Sequence, residues 1–184
     1  HVCFDSNNNP YYYYDKNKGG ICKESKNGEV ELIYKCSAVN GIVYENECLF
    51  FRVGIKLVKL SLDNNEIIEN NLPAFTPKNT VLILNHEYLL LVELGVNYCD
   101  EIDVSCFSKN SLKELQKESF SYNCLFDRAF NYQNDLEGIE IIINTDGKEY
   151  SFLIPDTSGV YFSNTLRSET LIGDYFVMFK KNIT

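Results

Sequence analysis

Apolar and polar residues alternate with a period of two along much of the chain, as in Ile55-Lys56-Leu57-Val58-Lys59-Leu60 and Ile139-Glu140-Ile141-Ile142-Ile143. A strand points successive side chains to opposite faces, so this period predicts half-buried strands. Only Ser111 to Ser119, with Leu112, Leu115 and several Lys and Glu, could form a helical turn or two. Its register with the other hairpins favours a strand. The expected fold class is all-β.

A longer period lies over the short one. Strongly apolar or aromatic segments recur as Tyr11 to Tyr14, Cys48 to Arg52, Tyr88 to Val92 and Cys124 to Arg128, with Tyr175 to Phe179 opening a fifth unit. Their starts are 37, 40, 36 and 51 positions apart. Each is read as the first strand of a unit that continues into a second strand and a polar turn. The turns are Glu24 to Leu32, Ser61 to Glu69, Phe107 to Leu115 and Asn144 to Phe152. Ser, Thr, Asp, Asn and Gly supply there the positive φ and side-chain-to-backbone bonds that tight hairpins need. Units of this length carrying several strands predict a β-propeller, or part of one, with about four blade-like units; a β-sandwich is the alternative. Residues 1–184 are expected to form a single β domain, with interblade linkers at Asn70 to Pro77 and Pro155 to Ser163. An open ring exposes apolar blade edges, so an incomplete propeller predicts a partner.

Charge then narrows the partners. With 17 Lys and Arg against 26 Asp and Glu, the net charge of −9 opposes nucleic acid and anionic membranes. No apolar run reaches the length of a membrane-spanning helix. Seven Cys suit an oxidising compartment, and their odd number leaves one thiol free or paired outside the chain. The disulfide candidates are Cys3, Cys22, Cys36, Cys48, Cys99, Cys106 and Cys124. A start at His1 rather than Met fits a processed, secreted or cell-surface protein, or a piece cut from a longer chain. Asn182-Ile183-Thr184 is the one glycosylation sequon.

The turns resemble the Asp-box hairpins of sialidase-like propellers, whose pattern is Ser-x-Asp-x-Gly-x-x-Trp. Ser61-Leu62-Asp63-Asn64-Asn65-Glu66-Ile67-Ile68 keeps the Ser and Asp, with Asn for Gly and Ile for Trp. Asn144-Thr145-Asp146-Gly147-Lys148-Glu149-Tyr150 keeps Asp, Gly and an aromatic but is one residue short. The family includes catalytic sialidases and non-catalytic parasite surface antigens of the cysteine-rich protective antigen type. The resemblance therefore implies either glycan processing or a scaffold for other surface proteins.

Candidate chemistry is sparse. A sialidase grips a carboxylate with three Arg, and this chain has three: Arg52, Arg128 and Arg167. His1 and His86 are the only histidines and match the ligand types of a copper histidine brace, although His86 sits in a polar hairpin. No Gly-x-Ser-x-Gly elbow, phosphate loop or Cys-x-x-Cys pair occurs. Asp100-Glu101-Ile102-Asp103 lacks the spacing of a dedicated calcium loop. No cofactor is expected. Alternation in Tyr11 to Tyr14 buries two rings and presents two; Tyr11 and Tyr13, with Arg52 and Arg128, are the candidate binding residues. The leading expectation is a non-catalytic binding protein acting by protein–protein recognition; the alternative is a sialidase-like or copper-dependent glycan-processing enzyme.

Overall fold

A computed structural model of the chain describes residues 2–15, 19–73, 79–85, 87–94, 101–121, 138–145, 148–155, 168–172 and 175–182, with side chains described at 2–15, 19–73, 80–85, 87–93 and 103–118. Every regular element among them is a strand, and every sheet is antiparallel and four-stranded. The first sheet holds β1 (Val2–Phe4), β2 (Pro10–Tyr14), β3 (Gly20–Glu24) and β4 (Val30–Lys35). The second holds β5 (Ile42–Glu45), β6 (Cys48–Val53), β7 (Lys56–Ser61) and β8 (Ile67–Asn71). The third holds β9 (Asn79–Leu84), β10 (Tyr88–Leu94), β11 (Glu101–Ser108) and β12 (Glu114–Ser121). All three are meanders in chain order. The fourth, of β13 (Gly138–Thr145), β14 (Lys148–Pro155), β15 (Ser168–Ile172) and β16 (Tyr175–Asn182), runs β14-β13-β16-β15.

The four turn sequences join β3 to β4, β7 to β8, β11 to β12 and β13 to β14. In the first three the opening Ser donates its N–H across the turn: Ser25 to Glu29 O at 2.8 Å, Ser61 to Glu66 O at 2.9 Å and Ser108 to Lys113 O at 3.0 Å. Gly28, Asn65 and Leu112 take positive φ in these turns; Gly and Asn favour it, whereas Leu112 adopts it with its side chain buried. The segment Ser111 to Ser119 enters a strand, β12.

Two expectations about the repeat are corrected. The apolar segments at Tyr11, Cys48 and Tyr88 are second strands, each preceded by a short strand paired along it. The first two of those preceding strands have only three and four residues, too few for alternation to mark them. Tyr175 to Phe179 opens no fifth unit, because β16 pairs with β13 inside the fourth sheet. Residues 124–128 lie outside the described residues.

Strand pairing in the first three sheets keeps a common spacing. Val2, Ile42 and Leu82 occupy one position of the first strand in successive sheets, forty residues apart, and pair with Tyr12, Phe51 and Leu91. Tyr11, Phe50 and Leu90 are equivalent in the same way, through Cys3, Val43 and Ile83. In the first three sheets, the face toward the following sheet is here called forward and the opposite face rear.

The first three sheets stack face to face. Tyr11 and Ile21 on the forward face of the first sheet pack with Leu49, Phe51, Val58 and Leu60 on the rear face of the second. Tyr11 stacks on Tyr44 at 5.8 Å, and Tyr34 meets Phe51 edge-on at 4.9 Å. Phe50 and Leu57, on the forward face of the second sheet, pack with Leu82, Leu89, Leu91 and Phe107 of the third. The second sheet is therefore buried on both sides, so Leu49-Phe50-Phe51-Arg52 reads as a continuous buried run. The first strands of successive sheets lie against each other, β1 with β5 and β5 with β9. Gly41, beside β5, takes φ +94°, a backbone conformation that L side chains rarely adopt, while a Cβ there would meet Leu82 at ordinary contact distance. At the far end, β15 lies against β11 and β12.

The second and third sheets are also held by charge. Arg52, 1% exposed, meets Glu93 across the interface at 2.6 Å, with angles short of an aligned hydrogen bond. Glu93 pairs in register with Asp103, which binds Lys117 at 2.7 Å. At the opposite end of the interface the Lys109 ammonium donates to Glu45 of β5 and to the Asn85 carbonyl. Burial lowers the pKa of Arg52 and raises that of Glu93, and their mutual attraction opposes both shifts. Removing one member of such a pair leaves a buried unpaired charge. Glu93→Ala should therefore cost about 3–5 kcal/mol in urea unfolding, whereas Arg52→Met with Glu93→Leu should recover most of that loss.

Candidate functional site

Among the described residues, no sheet covers the rear face of the first sheet. That face carries Val2 and Phe4 of β1, Pro10, Tyr12 and Tyr14 of β2, Cys22 of β3, and Val30 and Leu32 of β4. Val2, Phe4, Tyr14, Val30 and Leu32 are all exposed, Phe4 at 54%. These five are most of the eight large apolar residues exposed among the described ones, so the exposure is clustered rather than scattered. Tyr12 and Tyr14 form an edge-on pair at 6.3 Å, and the Tyr12 hydroxyl donates to Glu24 at 3.1 Å. The patch is thus apolar and aromatic, with a single acid fixing one ring.

Local chemistry sets its shape. Asp5 closes the β1–β2 turn by accepting the N–H groups of Asn7 at 2.9 Å and Asn9 at 2.8 Å and the Asn9 amide at 2.9 Å. Lys23 adds an ion pair at 3.2 Å, and its ammonium lies over the Tyr11 ring at 5.2 Å. This turn holds Phe4 opposite Pro10. On the other side Gly20 makes room for Leu32 to lie across the sheet; a Cβ at Gly20 would come within 2.5 Å of both Leu32 Cδ1 and the Tyr34 carbonyl. The bulge between Ile21 and Cys22 shifts the β3–β4 register there, setting Leu32 opposite Cys22.

The alternation of the four Tyr is observed, with the phase opposite to that of the candidate pair. Tyr11 is 1% exposed in the interface with the second sheet. Tyr13 packs against the same cluster and donates its hydroxyl to the Ser37 carbonyl. Tyr12 and Tyr14 are the presented pair. Phase is decided by which face finds another sheet, and the four identical side chains carry no mark of it. Arg52 is engaged with Glu93 inside the second interface, away from any open surface. Arg128, Arg167, His1, His86, Cys99 and Cys124 lie outside the described residues, as does the Asn182 side chain, although its backbone ends β16. Cys3, Cys22, Cys36 and Cys48 are in no disulfide, and Cys106 is buried in β11. Asp103 is the described acid of the 100–103 cluster with a placed side chain, and it pairs with Lys117.

No cluster of His, Cys, Asp and Glu among the described residues is arranged to hold a metal. A shallow open depression lined by Tyr13, Asp15, Gly19, Lys35, Cys36 and Ser37 lies at the end of the first sheet. Within it the Tyr13 hydroxyl lies 3.3 Å from Asp15 Oδ1.

Two titrations follow from the geometry. Burial raises the Asp5 pKa, but the hydrogen bonds from Asn9, Lys23 and Asn7 outweigh it and hold the carboxyl at about 2. A depressed folded-state pKa contributes stability above the unfolded value, near 4, which is lost as pH falls toward 2. Asp5→Ala should therefore lower stability by about 1–3 kcal/mol at pH 7, and the gap should shrink in urea titrations near pH 2. Burial, and then the Asp5 charge, push the Cys3 thiol up to about 12. It should resist iodoacetamide at pH 8 in the folded protein and react once the chain is unfolded. No protein-family model, curated protein or solved structure matches this chain, so the apolar rear face of the first sheet carries the functional argument.

Proposed function

We propose that this chain is a non-catalytic, secreted or cell-surface protein that acts by protein–protein recognition, built as a propeller or part of one. Four features support the propeller reading. The first three sheets are meanders of four strands, they stack face to face, their first strands converge, and they repeat in a forty-residue register. The secreted setting rests on the seven Cys.

The single observation that carries the recognition reading is the apolar rear face of the first sheet. In a stack where each face is made to receive another, an aliphatic and aromatic face left in water favours association. Tyr12, Tyr14 and Phe4 are the residue types that dominate binding energy in protein interfaces, because they bury large areas with few rotatable bonds.

The test is affinity capture from the native source with the wild-type chain and with Phe4→Glu/Leu32→Glu as bait. Both sites are about half exposed, so the double variant should keep its urea midpoint. The expected outcome is a bound protein recovered with wild type and reduced at least tenfold with the variant. Equal recovery with both baits would sink the reading.

A further inference from the structure

The chain holds two Asn-Gly steps, Asn27-Gly28 and Asn40-Gly41, and the fold treats them oppositely. A glycine after asparagine matters chemically, because without a Cβ its backbone nitrogen can swing onto the asparagine side chain. Asn27 and Gly28 lie in the β3–β4 turn, and both are exposed. A Cβ placed on Gly28 would meet no atom within 4 Å. The bonds that close this turn are local: Gly28 N–H to Ser25 O at 2.9 Å, Ser25 N–H to Glu29 O at 2.8 Å and Glu29 N–H to Ser25 Oγ at 3.2 Å. Freeing the Gly28 nitrogen breaks one of them and disturbs no other sheet. Asn40-Gly41 is instead bound into the stack. The Asn40 N–H donates to Arg52 O at 2.9 Å and the Gly41 carbonyl accepts from the Arg52 N–H at 3.2 Å, so both sides of the step are pinned to a buried residue of β6. Gly41 is itself buried, and a Cβ on it would touch Leu82 and Thr80 of β9. Swinging this backbone means opening the second sheet where it meets the third.

We propose that Asn27 is a site of spontaneous deamidation in the folded protein and that the fold protects Asn40. Water is the only co-reactant, and nothing is oxidised or reduced. The Gly28 nitrogen gives its proton to solvent base and bonds to Asn27 Cγ, the side-chain nitrogen leaves as ammonia, and a succinimide ring closes. Water then adds to one of the two ring carbonyls and breaks its bond to the ring nitrogen. Opening at the side-chain carbonyl leaves aspartate; opening at the main-chain carbonyl leaves isoaspartate. Either product adds one negative charge to a chain at −9, beside Glu29. Isoaspartate also inserts a methylene into the main chain of the hairpin whose second strand carries Val30 and Leu32.

Peptide mapping by mass spectrometry of the full chain, aged in mildly alkaline buffer with a parallel sample in urea, tests the proposal. In the folded protein Asn27 should convert about tenfold faster than Asn40 or more, since an exposed turn opens at little cost and a buried sheet edge does not. In urea the two rates should come within about threefold of each other, because both steps then offer the same unrestrained glycine. The folded-state product should include isoaspartate, seen as a second peptide of the same mass with a different retention time. An Asn27 that stays intact in the folded chain while it converts in urea overturns the proposal, because the turn then protects it. Equal rates at Asn27 and Asn40 in the folded chain also overturn it, because the bonds to Arg52 then give no protection. A tenfold preference that survives in urea overturns it as well, since neighbouring residues rather than the fold then set the selectivity.

Discussion

The second sheet is buried on both faces, and the rest of the described structure depends on that constraint. A strand between two other sheets has no solvent side, so β6 must be apolar at consecutive positions rather than alternate ones. Leu49 and Phe51 face one neighbour, Phe50 the other. The exception is Arg52, and a guanidinium that is 1% exposed has to meet a carboxylate across the interface. Glu93 supplies it, at the equivalent end of the next second strand. The ion pair is thus a consequence of two-sided burial as much as a contribution to it.

The interfaces share a geometry and differ in chemistry. Between the first and second sheets the contacts are aromatic, with Tyr11 on Tyr44 and Tyr34 on Phe51. Between the second and third they are apolar in the middle and ionic at both ends, through Arg52–Glu93 and Lys109–Glu45. Asn70 adds an amide hydrogen bond at 2.7 Å to the carbonyl of Leu112. Directional contacts of this kind hold the angle between two sheets better than dispersion alone, which is non-directional. The first-strand turns show the same drift in a shared role. Asp5, Glu45 and Asn85 stand forty residues apart; Asp5 and Asn85 accept backbone N–H groups within their own turns, while Glu45 reaches across to the third sheet.

Much of this was legible in the chain. Hairpin turns at Ser25, Ser61 and Ser108 follow from local chemistry, since Asn, Asp and Gly need no tertiary partner to favour a turn. The second strands were visible as apolar runs, whereas β1 and β5 were hidden by their brevity. The exposed patch was the least legible part. Val2 and Phe4 look like any strand residues, and Leu32, paired with Cys22, finds room only because the neighbouring Gly20 lacks a Cβ. The apolar character of Tyr11 to Tyr14 pointed to a buried face and a presented one without saying which was which.

The sequence by itself determined that the chain is all-β and where its principal hairpin turns fall. These depend on a period of two and on residues with local backbone preferences, both written in consecutive positions. Only the tertiary structure decided which face of each strand is covered. Tyr11 and Tyr12 are chemically identical, yet one lies in an interface and the other fronts solvent. Burial is a relation between distant residues, so the difference appears only when the second sheet packs against one face of the first and leaves Val2, Phe4, Tyr14, Val30 and Leu32 on the other exposed.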